Sequence, residues 1–69
     1  MQQVSILARQ LRAKIGAHYR MIGDSSVTHD DYMRARSESD DAESTARYLI
    51  QYLSTAQAAV ISQITGIRQ

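Results

Sequence analysis

Two histidines, seven carboxylates and eight lysines and arginines are the groups with which this 69-residue chain could do chemistry. His29, Asp30 and Asp31 stand side by side and raise the question of a metal. Ligands on a helix share a face at intervals of three or four residues, whereas sequence neighbours point apart. Helix capping, with carboxylates favoured at the positive end of the helix dipole, accounts for the three residues better. His18 falls in an apolar stripe with Lys14 and Ile22 at its helical offsets, and reads as a hydrogen-bonded interface histidine rather than a ligand or a base. Serines are frequent, but no nucleophile, base and acid fall into a recognisable set, and Gly16, Gly23 and Gly66 are too isolated for a phosphate loop. The absence of Cys removes both a disulfide framework and a thiolate zinc site. The expectation is a chain that is not an enzyme and needs no metal or cofactor.

Recognition is the other chemistry available. All seven acids lie between residues 24 and 43, and Glu38, Asp40, Asp41 and Glu43 form a dense patch. Such a patch suits a basic protein partner, with Tyr32, Arg34, Arg36, Tyr48 and Tyr52 as the tyrosine and arginine anchors common in interfaces. The plainer reading pairs the acids with Arg9, Arg12 or Lys14 of a neighbouring helix, at ~0–1 kcal/mol per exposed pair. Arg9, Arg12 and Arg20 share a helical face and could follow a phosphate backbone, which makes a small DNA-binding dimer the alternative. A solvated helix face explains them as well. Asp30 and Asp31 would repel phosphates where a recognition helix inserts its first residues, and a net charge of +1 gives little nonspecific attraction.

These residues need elements to hold them. Val4, Leu7, Ala8, Leu11, Ile15 and Ile22 recur at three- and four-residue steps, with His18 in phase, and predict a helix over 2–22 closed by Gly23. Residues 23–28 read as a turn, and Thr28 with Asp31 as a capping box that opens the next helix. From there Tyr32, Ala35, Ser39, Ala42, Ala46, Leu49, Leu53, Ala56, Val60, Ile64 and Ile67 keep one phase, which predicts a helix over 29–66 ending near Gly66. The polar run at 37–40 allows a kink, with Ser37 or Ser39 as a new cap. No strand pattern is present, and no apolar run reaches the roughly 18–20 residues of a membrane span. Polar Gln2 and Gln3 followed by Arg9, Arg12 and Lys14 do not resemble a secretory leader, so a cytoplasmic protein is expected.

The expected fold is all-α: an antiparallel two-helix hairpin with a short first arm of roughly 30 Å and a long second arm of roughly 55 Å. The first arm then covers only the nearer, polar half of the second. Leu49, Ile50, Leu53, Val60, Ile61 and Ile64 would be left in water, at a loss on the order of 1.5–3 kcal/mol per large side chain. A second copy would shelter them, so these six residues are the expected homodimer interface. The competing arrangement is a kink that folds the apolar end onto the first helix, giving a monomeric three-helix bundle.

In its length, its Leu49–Ile64 stripe and its hairpin outline, the chain resembles the small phage-encoded anti-activators that block bacterial quorum sensing. That resemblance implies a helical dimer without catalytic groups, acting in the host bacterial cytoplasm. It also implies binding of a LuxR-type transcriptional activator at its DNA-binding domain and, separately, of a pilus assembly ATPase. No short motif carries the likeness, so no family residue is transferred. The functional expectation is a non-enzymatic homodimer working by protein–protein contact.

Overall fold

The computed structural model describes residues 2–68, which form helices and no strand. Helix α1 spans Gln2–Lys14, a 3-10 helix spans Ala17–Met21, α2 spans His29–Tyr52 and α3 spans Thr55–Thr65. The second arm of the expected hairpin is therefore two helices, and the kinked bundle is the arrangement adopted.

The first helix stops eight residues earlier than the periodicity predicts. Gly16 takes a left-handed conformation at φ 75°, which a residue with a Cβ adopts only at a cost. Its N–H donates to the Ser39 hydroxyl at 2.9 Å, and its carbonyl accepts from Tyr19 at 3.0 Å. The chain is thereby turned out of the α-helix and into the 3-10 helix. Ile22, expected on the buried stripe, is consequently 64% exposed. Gly23 is also left-handed, at φ 83°, but it follows the 3-10 helix rather than a long α1.

Helix α2 begins as the sequence indicates. The Asp31 N–H donates to the Thr28 hydroxyl at 3.1 Å, and the Thr28 N–H donates to the Asp31 carboxylate at 3.4 Å. The helix then runs without interruption through 37–40, so no kink forms there. Ser39 is turned inward and 2% exposed; its oxygen serves Gly16 of the preceding segment and does not cap a new helix.

The break falls at Leu53–Ser54 instead. Leu53 is extended, with ψ 164°, while its N–H still reaches the Leu49 carbonyl. Ser54 caps α3: its hydroxyl accepts from the Gln57 N–H at 3.3 Å, and the Gln57 side chain accepts from the Ser54 N–H at 3.4 Å. Serine followed three residues later by glutamine, ahead of an apolar run, is a helix-start signature. At the far end Gly66, at φ 78°, closes α3 with its N–H on the Ser62 carbonyl.

With this connection α3 doubles back along α2 and also packs on α1. The core joins Ala8 and Leu11 of α1, Ala42 and Ala46 of α2, and Ile61 and Ile67 of the C-terminal segment. Small residues at 35, 39, 42 and 46 let the neighbouring segments approach α2 closely, since side-chain size sets the distance between helix axes. Alignment along α2 also differs from expectation. The 3-10 helix lies against α2, and Gly16 sits at Ser39, so α1 covers the apolar second half of α2.

The six residues expected at a dimer interface are placed accordingly. Ile61 is completely enclosed, and Leu49, Ile50, Leu53 and Ile64 are half-buried against the core of their own chain. Val60 is half-buried as well. The apolar overhang that would call for a second copy does not exist in this fold, because α3 supplies the missing neighbour. The folded chain measures 42 × 18 × 16 Å.

Candidate functional site

The acidic patch at 38–43 is one cluster in sequence and two in space. Successive residues on a helix turn by about 100°, so four acids within six residues cannot share one side. Glu38 and Asp41 line a cleft of about 150 Å³ with Leu11 and Lys14 of α1, and with Ala42 and Thr45. Asp40 and Glu43 line a different cleft, of about 360 Å³, with His18 and Tyr19 of the 3-10 helix and with Tyr32, Arg36 and Ser39 of α2. The second cleft gathers four of the residues expected to bind a partner: Tyr32, Arg36, Asp40 and Glu43.

The early end of α1 creates this second cleft. A helix continuing to Ile22 would have kept His18 on the stripe of α1. Ended at Lys14 and turned by Gly16, the chain instead lays His18 against α2. His18 is 8% exposed and its Nδ1 has no hydrogen-bond partner among the described residues, unlike the hydrogen-bonded histidine that was expected. It packs between two tyrosines. The Tyr19 ring lies 4.1 Å away by centroid and tilted by 35°; the Tyr32 ring lies 5.7 Å away and nearly perpendicular at 78°.

The remaining predicted contacts divide. Arg34 pairs with Asp31 at 3.8 Å, both side chains being well exposed, and lines a third depression with Met21, Val27, Ala35 and Glu38. Tyr48 and Tyr52 stack on each other at 4.4 Å and 22° and are 56% and 72% exposed. The Tyr52 side chain holds the Tyr48 hydroxyl above its ordinary pKa. Asp24 is lowered by the hydroxyl and N–H of Ser26, which cap the turn. Among the described residues no ion pair within 4.0 Å joins Arg9, Arg12 or Lys14 to the acids, so the expected intramolecular neutralisation is not formed. The expected arginine stripe is divided too. Arg9 and Arg12 stand on α1, whereas Arg20 belongs to the 3-10 helix and donates to the Ala13 carbonyl at 3.4 Å.

Tyr19 and Ser39 are the site residues that sequence reasoning did not single out. For Tyr19 no periodic signal existed, because it falls off the stripe of a helix that the chain does not form. Ser39 carried one, since it occupies a core phase of α2 and a polar residue at a core phase needs a partner.

Among the described residues, fold and site together define an all-α arrangement of three helices and a 3-10 helix, with an acid- and tyrosine-lined cleft. No helix among the described residues is long and apolar enough to cross a membrane. No family model, curated protein or solved structure matches the chain.

Proposed function

We propose that this chain is a non-enzymatic protein-interaction module that engages a basic partner through α2 and the 3-10 helix. The observation that carries the reading is the 3-10 helix–α2 cleft, where Tyr19, Tyr32, Asp40 and Glu43 converge and neither carboxylate has an ion-pair partner within the described residues. Carboxylates that form no ion pair within 4.0 Å, beside tyrosines, have the charge and the anchors for a basic protein surface. In its most specific form the module is an inhibitor that covers the DNA-binding face of a LuxR-type activator, and a pilus assembly ATPase is a further candidate target. Charge supports that form, since a DNA-binding face is basic.

Titration of the purified DNA-binding domain of such an activator tests it. The wild-type chain should bind with a saturating stoichiometry and release DNA from the activator. The charge reversal Asp40→Lys with Asp41→Lys should abolish binding while leaving the helical circular dichroism intact. Undiminished binding by the reversed chain would reject the acidic surface. A mobility shift of DNA by the chain alone, steeply weakened by salt and by Arg9→Ala with Arg12→Ala, would favour the DNA-binding alternative.

Self-association has a separate rationale. The apolar phase of α2 continues across Leu53–Ser54 into Val60, Ile64 and Ile67, so a straightened hinge would keep the stripe on one face. Two straightened chains could exchange their α3 helices and restore the same core, a low-cost route to a homodimer. Sedimentation across a concentration series reads this directly: a dimer forming only at high concentration fits exchange.

A further inference from the structure

The cleft between the 3-10 helix and α2 has a selectivity of its own. Its walls carry three aromatic rings, those of His18, Tyr19 and Tyr32. Against them stand Asp40 and Glu43 with the single guanidinium of Arg36, a formal charge of −1 when the imidazole is neutral. An anion would meet that charge unfavourably. A neutral apolar group would strip water from two carboxylates and return no hydrogen bond. A cation with a flat, weakly hydrated surface gains from both features, because the face of an aromatic ring attracts positive charge and carboxylates accept charge-assisted hydrogen bonds. Guanidinium meets the description more fully than ammonium: it is planar, stacks on tyrosine, and presents five donors to several acceptors. His18 backs the wall of the cleft, nine-tenths buried, with an enclosed Nδ1 that no group of the protein satisfies. Buried polar atoms are ordinarily partnered.

We infer that this cleft receives an arginine side chain of the protein partner, with its head group between Asp40 and Glu43 and its plane against the tyrosines. The inference rests on the protein-interaction reading and names the residue that the interaction reads. Arg36 is then a competitor for the two carboxylates, and its removal strengthens binding.

Nuclear magnetic resonance titration of the intact chain with Nα-acetyl-arginine amide tests the inference, with the uncharged citrulline analogue as control. Saturable shifts are expected at Tyr19, Tyr32 and His18, at least tenfold weaker for citrulline and for the variants Asp40→Asn and Glu43→Gln, and tighter for Arg36→Gln. These three exchanges sit on the exposed or half-exposed side of α2, so the fold survives them. Equal response to arginine and citrulline, or no saturable shift at the three rings, would overturn the inference. A partner domain that binds the wild type and both neutralised variants equally overturns it too, while leaving the interaction reading in place. Arginine selectivity in a chain that binds no protein overturns the interaction reading and leaves the cleft's preference for guanidinium standing.

Discussion

Gly16 and Ser39, twenty-three residues apart, share the hydrogen bond that ends the first helix and opens the cleft beside it. Ser39→Ala leaves the part-buried Gly16 N–H without its acceptor, at a cost of about 1–3 kcal/mol if water cannot replace the serine. Gly16→Ala keeps the acceptor but places a Cβ in left-handed backbone, at about 1–2 kcal/mol. The new carbon would stand 3.5 Å from the Tyr19 ring, an ordinary contact, so the loss is conformational rather than steric. Urea denaturation of the two variants should show losses of similar size, and a midpoint unchanged in both would contradict the assignment. A third residue-level expectation concerns Tyr48, whose ionisation Tyr52 delays. A group raised in the folded state favours folding below its unfolded pKa, and that contribution disappears as pH rises through the folded value. Spectrophotometric titration should therefore find one tyrosine ionising late in the wild type and at the ordinary pH in Tyr52→Phe. At this scale the sequence was legible where the signal was local. Thr28 with Asp31 stands as read, and the helical run ends at Gly66 as expected. The Gly16–Ser39 bond was not legible, because nothing local distinguishes a glycine that ends a helix from one within it until its distant acceptor is known.

Helices in this chain are delimited by reciprocal caps as much as by hydrophobic periodicity. Ser54 and Gln57 exchange hydrogen bonds at the start of α3, and Ser54→Ala should cost about 0.5–2 kcal/mol. Ile61→Ala empties the completely enclosed position where α3 meets the core, and should cost about 2–5 kcal/mol. Thermal unfolding followed by circular dichroism ranks the two: the core variant must melt well below the cap variant if α3 is held by its packing. The serine–glutamine pair was visible in the sequence, yet unbroken apolar phase from Ala42 to Ile67 read more simply as one helix. Phase continuity states which residues share a face. It carries no information on whether the chain stays straight, because an antiparallel fold-back buries the same face. The all-α class followed from the three- and four-residue spacing alone. The split of the acids over two sides of α2 followed from that spacing as well, once α1 and the 3-10 helix were known to flank them.

On the scale of the whole molecule, the chain solves by folding back the problem that a straight hairpin would pass to a second copy. A chain of this size has little stability to spare, so its large apolar residues must find neighbours, and α3 finds them on α1 and α2. What remains outside is mostly polar or tyrosine, with Ile6, Ile22 and Met33 as exposed aliphatic side chains, and it is this remainder that is available to a partner. Small-angle X-ray scattering joined to sedimentation at low micromolar concentration tests the fold-back most directly. The folded-back chain should appear as a 7.7 kDa particle with a radius of gyration near 13.4 Å and a longest dimension near 42 Å, allowing for a hydration layer. A particle of twice that mass at every concentration, built on a straight second helix of roughly 55 Å, would contradict it.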